Sequence, residues 1–494
     1  MSMNVEPSVA ALTAFLRRVP MLLKTIVLNV LSISPASRKQ NLRMEVVVAL
    51  IRSYLDYSSP PGKAQRGSMK DPGIKGRMWV SKITMPKPPE NDALDSLRRA
   101  IDSLKEGDES YDVPEIGDVE AEWTGYRAGV RSDASQPDVD EAVKYERLME
   151  EVTEDLTILY FHGGAYHLMD PCTHRSVTSK LAKLTRGRCL SVRYRLAPQN
   201  PFPAALLDAL VSYLYLLSPP EGSLHAPVPA GKIVFAGDSA GAGLSLALLQ
   251  TLLALRRMSP DGTIRFHGKD IPIQLPAGVT TSSPWCDQTR SLPSTFANAK
   301  FDYLRPPHQD TNSVFTPIPF PEDAIWPLSP PRVDFYAYAS AAIHPLVSPL
   351  AGPSDIWKDA PPIFITIGEE SLQDEGFYLA RKIHRVGGTV TLEHFEGMPH
   401  CFALIFLNNP AAKRCFRTWA AFCVDAVHGR VERTGKAVFL DRNGKNEEMK
   451  DLEGLGELSD EEVQKRLKAG RDWRVEGEKD LISKWMAKAE RARL

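Results

Sequence analysis

A chain of 494 residues is long for one domain and leaves room for a catalytic domain with sizeable additions. Its 43% hydrophobic and 24% charged residues are the balance of a soluble globular protein. The net charge of -1 gives no global field that would draw the chain to nucleic acid or an anionic membrane.

The 39 prolines predict many ordered surface loops. The six cysteines are scattered without metal-ligand spacing, several of them in apolar runs. They predict buried free thiols in a reducing compartment and argue against a disulfide framework.

In chain order, the first predicted element is an apolar segment from Val19 to Ser34, interrupted by Pro20 and Lys24. A spanning helix needs about 20 apolar residues, so this segment predicts neither a secretory signal nor a membrane span. At about 100° per residue, Leu22, Leu23, Ile26, Val27, Val30 and Leu31 fall on one half of a helix. Lys24, Thr25, Asn29 and Ser32 fall on the other, with Leu28 as the exception. The first reading is a helix packed on the protein's own apolar surface; the second is a helix lying in a membrane interface beside Arg17 and Arg18. The expected location is intracellular, either cytoplasmic or peripherally membrane-associated. A second helix is expected over 42–57 and a third over Asp92 to Leu104, with a loop from Ser58 to Pro89 and a loop or an irregular edge from Glu106 to Glu122.

From Leu156 the pattern changes to short apolar runs alternating with helical periodicity, as in βαβ units. Strands are expected at 156–161, 189–194, 232–237, 273–280, 362–367 and 389–395, and helices at 173–186, 203–217, 241–257, 372–386 and 410–427. The strands are near-continuous apolar runs, as strands covered on both faces require. Prolines and aromatics break the rhythm between Cys286 and Val347, which marks an insertion over the site. Beyond residue 430 the chain is strongly charged and reads as a solvated or partner-docking tail. Within it, Ser459 and Glu462 have capping-box spacing before a short helix ending near Gly470, and a last helix is expected at 477–492.

Three motifs carry chemistry. Gly237-Asp238-Ser239-Ala240-Gly241 has the form G-x-S-x-G between a strand and a helix, where a sharp turn projects the serine hydroxyl. His162-Gly163-Gly164-Ala165-Tyr166 follows an earlier strand. Its glycines allow the N–H groups of Gly163 and Gly164, with that of Ala240, to form an oxyanion hole. His162 itself reads as a structural residue that fixes the loop. The strand at 362–367 is followed by Gly368-Glu369-Glu370 and by Asp374, and the next strand by Gly397-Met398-Pro399-His400. The order nucleophile, acid, histidine is that of the α/β-hydrolase fold: Ser239 as nucleophile, His400 as general base, Glu370 as the orienting acid and Asp374 as its rival.

Together HGGAY at 162–166, YRLAPQNPFPAALLDA at 194–209, GDSAG at 237–241, SPWCD at 283–287 and the acid and histidine loops resemble the hormone-sensitive-lipase-like family of α/β-hydrolases over about residues 150–430. The resemblance implies a mostly parallel central sheet flanked by helices, with a helical cap from the N-terminal region and an insertion. The expected organisation is therefore an N-terminal cap region at 1–130, a catalytic domain at 150–430 with a cap insertion at about 286–347, and a charged extension at 431–494. It also implies a serine carboxylesterase for small to medium acyl groups, with a small-molecule ester as its partner and neither cofactor nor metal. Asp208 and Asp287 match family positions that bond loops beneath the site. The family usually has aspartate where Glu370 stands, glycine where Cys401 stands, and a third glycine where Ala165 stands. The alternatives are an amidase or deformylase of the same chemistry and a non-catalytic ligand receptor on this fold; the receptors lose the histidine that this chain keeps.

Overall fold

The structure, a computed structural model, describes residues 15–55, 59–307, 315 and 319–491. The start of the expected cap region, the end of the 42–57 helix, part of the 286–347 insertion and the last residue of the 477–492 helix lie outside these residues.

The described residues begin with helices α1 (Val19–Val30), α2 (Leu42–Tyr54) and α3 (Pro61–Ser68). Strand β1 (Met78–Met85), α4 (Asp92–Leu104), β2 (Val119–Tyr126) and α5 (Glu141–Glu150) follow. The alternating part runs β3 (Thr157–Phe161), α6 (Pro171–Thr185), β4 (Arg188–Arg193), α7 (Ala204–Leu217), β5 (Ile233–Asp238) and α8 (Ala240–Met258). After a hairpin of β6 (Thr263–Phe266) and β7 (Lys269–Pro272) come β8 (Gly278–Ser282) and the short α9 (Ser294–Ala297). The alternating part closes with β9 (Ile363–Gly368), α10 (Gln373–Arg385), β10 (Val390–Phe395), α11 (Phe402–Ile405) and α12 (Pro410–Val427). Strands β11 (Gly435–Leu440) and β12 (Glu447–Lys450) and the long α13 (Asp460–Arg491) complete the described residues.

Ten strands form one sheet in the order β1-β2-β4-β3-β5-β8-β9-β10-β11-β12. The seven from β4 to β11 are mutually parallel, while β1, β2 and β12 pair antiparallel at the edges. Every residue of β3, β5, β8 and β9 is buried, as expected for parallel strands with helices on both faces. Helix α8 runs through the interior, buried from Ala240 to Leu255. All six cysteines are free and buried.

The structure corrects four expectations. First, the N-terminal region is not purely a helical cap, because β1 and β2 are edge strands of the main sheet. Pro72, Gly73, Gly76 and Pro86 flank β1 and make the stretch look like loop, yet the strand between them buries Trp79, Val80, Ser81 and Met85. Second, the expected 273–280 strand begins only at Gly278; Pro276, which has no N–H to donate to a ladder, lies in the connection. Third, the insertion is not helical among its described residues beyond α9 and a turn of 3₁₀ helix at Ala339–Ala341.

Fourth, the tail is part of the packed protein. Strand β11 extends the parallel sheet, and a single helix replaces the two expected ones. The capping box does form: Ser459 N–H donates to Glu462 Oε2 at 2.8 Å, and Glu462 N–H to Ser459 Oγ at 3.3 Å. Gly470 and Gly477 do not end the helix; they let it approach the insertion. A Cβ at Gly477 would lie 2.4 Å from the Phe315 carbonyl oxygen, and one at Gly470 2.8 Å from Thr289 Cβ. Glu478 then accepts from the backbone N–H groups of Val333 at 3.1 Å and Ala339 at 3.2 Å.

Glu478→Ala leaves both N–H groups without that acceptor and is expected to cost about 1–3 kcal/mol, read as a lower melting temperature. Glu478→Gln retains one acceptor oxygen and is expected to cost less.

Candidate active site

The site lies beyond the carboxyl ends of β3, β5, β8, β9 and β10, where open α/β sheets form their clefts. Ser239 stands between β5 and α8 with φ 51° and ψ −120°. A non-glycine residue held there carries about 1–3 kcal/mol of backbone strain. Its N–H donates to Ser282 O at 2.9 Å, and its carbonyl accepts from Gly243 N–H and Trp285 N–H, each at 3.1 Å. The flanking glycines make the turn possible. A Cβ at Gly241 would sit 2.0 Å from Phe161 O, and one at Gly237 2.5 Å from the Gly241 backbone.

His400 Nε2 lies 2.9 Å from Ser239 Oγ, and His400 Nδ1 lies 2.7 Å from Glu370 Oε1. A carboxylate at Nδ1 keeps the ring proton on that nitrogen and leaves the Nε2 lone pair facing the serine hydroxyl. Both His400 and Glu370 are buried. Burial alone would lower the His400 pKa, but the Glu370 charge and hydrogen bond outweigh it and hold it above the ordinary value.

Glu370 Oε2 in turn accepts from Ser283 O–H at 2.6 Å and Gly368 N–H at 3.1 Å. Asp374 has a different part. In the first turn of α10 it accepts from Ser294 N–H at 2.8 Å, and its own N–H donates to Ser294 Oγ at 3.1 Å, closing a reciprocal link to α9.

The three predicted oxyanion donors differ in whether their N–H groups are already bonded. Gly163 N–H already donates to Asp238 Oδ1 at 3.1 Å, and a Cβ on Gly163 would lie 2.3 Å from Asp238 Oδ2. The N–H groups of Gly164, Ala165 and Ala240 have no acceptor among the described residues. The turn through Gly164 and Ala165 has φ of 108° and 53°. The carboxylate inside G-D-S-A-G takes up the Gly163 N–H, whereas the Ala165 N–H stays without a partner among the described residues. His162 is structural as expected: its ring stacks on Tyr194 at 4.4 Å, and Tyr194 O–H donates to His162 O at 2.6 Å. Burial and the neighbouring His174 push its pKa down to about 4.

Sequence reading missed three residues that hold this geometry. Asp238 accepts from Tyr160 O–H at 2.7 Å and lies 3.3 Å from His174 Nε2. Burial opposes both charges of that pair, but their mutual attraction lowers the Asp238 pKa and raises that of His174. Ser283, at φ 50°, bonds Glu370 and also accepts from Cys401 N–H at 3.0 Å. Asp302 accepts from His400 N–H at 3.2 Å and Ser371 N–H at 2.8 Å. Asp238 and Ser283 lie inside motifs that were already visible, whereas Asp302 has no local signal.

Cys401 has φ 49°, a left-handed conformation that explains why glycine suits this position. Asp208 accepts from Arg195 N–H at 2.8 Å and pairs with its guanidinium. Asp287 accepts from Thr289 N–H at 2.7 Å and Ser291 N–H at 3.0 Å.

Residues 158–404 match the family model described as "alpha/beta hydrolase fold". An acetyl-hydrolase of Streptomyces hygroscopicus is 31% identical over 267 residues, covering 54% of this chain and 74% of that protein. An esterase of Acinetobacter venetianus is 26% identical, covering 57% and 78%. Among solved structures, that of EstE5 soaked with p-nitrophenyl butyrate has a TM-score of 0.51 at 21% identity, covering 78% of this chain and 98% of its own, which is a likeness of fold. With half the chain inside the family model and the motifs assembled at one cleft, the protein belongs to the hormone-sensitive-lipase-like family of α/β-hydrolases, a family of carboxylic ester hydrolases.

Proposed function

We propose that this protein is a serine carboxylesterase acting on esters of small to medium acyl groups through an acyl-enzyme. One observation carries the reading: Ser239 Oγ, His400 and Glu370 are in hydrogen-bond sequence at 2.9 and 2.7 Å within a buried site.

His400 Nε2 takes the hydroxyl proton as Ser239 Oγ attacks the ester carbonyl. The tetrahedral oxyanion is met by the N–H groups of Gly164, Ala165 and Ala240, with the N-terminus of α8 adding its partial positive charge. Collapse expels the alkoxide, which leaves as an alcohol after accepting the proton from His400. Water, deprotonated by His400, then attacks the acyl-enzyme and releases the acid. Glu370 holds the tautomer and balances the imidazolium in both halves.

Similarity to an esterase supports ester cleavage, and similarity to an acetyl-hydrolase supports a small acyl group. An amidase would share the intermediate, so matched substrates separate the two. The expected result is that a fluorophosphonate labels the full chain once, at Ser239 by peptide mapping, and that p-nitrophenyl acetate or butyrate is cleaved far faster than the matching anilide. Labelling at another residue would overturn the nucleophile, and preference for the anilide would overturn the ester assignment.

A further inference from the structure

Helix α1 leaves most of its apolar side exposed. Part of its polar side is held by the protein: Asn29 Nδ2 donates to Glu45 Oε2 at 2.5 Å, and Arg18, just ahead of the helix, donates to Ser53 Oγ at 2.8 Å and lies over the Tyr54 ring at 4.0 Å. No residue of α1 is buried. Leu23, Val27, Val30 and Leu31 are 56%, 54%, 66% and 60% exposed. At 3.6 residues per turn these four fall within an arc of about 100°. Phe15 and Leu16 before the helix and Ile33 after it are exposed as well. Of the six residues expected to pack on the protein's own apolar surface, only Leu22 and Ile26 are half-buried; the other four are exposed.

The helix is not a loose arm. Met44 and Val48 of α2 are buried in a core cluster with Phe402 and Phe416. Gln40, between α1 and α2, donates to Phe301 O at 2.7 Å and to Gly397 O at 2.9 Å, three residues before His400. The apolar face is thus fixed to the loop that carries the candidate base.

We infer that this face is a docking surface for an anionic lipid surface. The charge around it selects that occupant. Between residues 15 and 55 the only carboxylate is Glu45, already bonded to Asn29 and Ser34, whereas Arg17, Lys24, Arg38 and Arg43 are exposed. An apolar stripe bordered by cations matches acyl chains beneath anionic headgroups. A second copy docked through the same face would bring the exposed cations of the two copies together. The attachment is peripheral, since no described helix is long and apolar enough to cross a membrane. The inference rests on this surface alone, so it stands or fails apart from the assignment of Ser239.

The test is co-sedimentation of the full chain with phosphatidylcholine vesicles that contain or lack phosphatidylserine. Binding to the phosphatidylserine vesicles is expected, weakening as salt rises. The double variant Leu23→Asp with Val27→Asp should bind at least about tenfold more weakly, because the stripe no longer buries in the acyl boundary. Lys24→Glu should weaken binding about fivefold through charge. Both variants should keep wild-type turnover of a water-soluble p-nitrophenyl ester, which also reports that they fold. Wild-type protein left in the supernatant with both vesicle types would overturn the inference, as would a double variant that sediments like wild type. A wild-type dimer that the double variant dissociates would assign the face to a second copy instead.

Discussion

Ser239→Ala is expected to lower kcat for p-nitrophenyl esters by about 10⁶-fold, the scale on which removing a triad nucleophile acts. The chain loses the one oxygen positioned 2.9 Å from His400 Nε2, and no other hydroxyl stands in that relation to the ring among the described residues. Alanine at φ 51° carries much the same backbone strain as serine, so the turn and its hydrogen bonds to Ser282 and Trp285 should persist. Circular dichroism and melting temperature should therefore match wild type while fluorophosphonate labelling disappears. The residual rate should still exceed the uncatalysed reaction, because the Gly164, Ala165 and Ala240 N–H groups remain to bind an oxyanion attacked by water. Undiminished labelling of the alanine variant would move the nucleophile elsewhere.

Glu370→Gln is expected to reduce kcat by about 10²- to 10⁴-fold, as loss of the orienting carboxylate does in a serine triad. The amide is nearly isosteric, so the Ser283 and Gly368 contacts can be kept, but the charge at Nδ1 is gone. The pH profile supplies a second readout. In wild type the Glu370 charge overrides burial and raises the His400 pKa. Without that charge burial prevails, so the rising limb of kcat/KM against pH should move to lower pH even as its plateau falls. Asp374→Asn should change kcat little and cost about 0.5 kcal/mol, the scale of a helix-terminus charge. Its partner is Ser294 and not His400. A nearly inactive Asp374→Asn beside an active Glu370→Gln would overturn the acid assignment and leave Ser239 and His400 in place.

Much of the central sheet was readable because burial on both faces leaves an unambiguous mark in sequence. Strands such as Thr157–Phe161 and Ile363–Gly368 are short unbroken apolar runs, and the helices between them have clear periodicity. Edge strands carry no such mark. Met78–Met85 and Glu447–Lys450 are partly or wholly exposed, so their sequences mix polar and apolar residues and merge with the flanking loops. Gly470 and Gly477 misled for a related reason. Glycine inside a helix reads as a stop, and only the close approach of the insertion explains why it is needed there.

By itself the sequence determined the α/β class, the strand-turn-helix at Ser239, the histidine after β10 and the glycine loop after β3. Each of these depends on residues adjacent in the chain, whose backbone demands are local. Only the tertiary structure shows that Glu370, and not Asp374, reaches Nδ1 of a ring 30 residues away. It alone shows that Asp238 takes up the Gly163 N–H across a strand junction and leaves the Gly164 and Ala165 N–H groups without a partner among the described residues. It alone also revealed the orientation of α1. Periodicity shows that a helix has an apolar side, whereas the direction in which that side points is set by Asn29, Glu45, Arg18 and Ser53, which anchor its polar side.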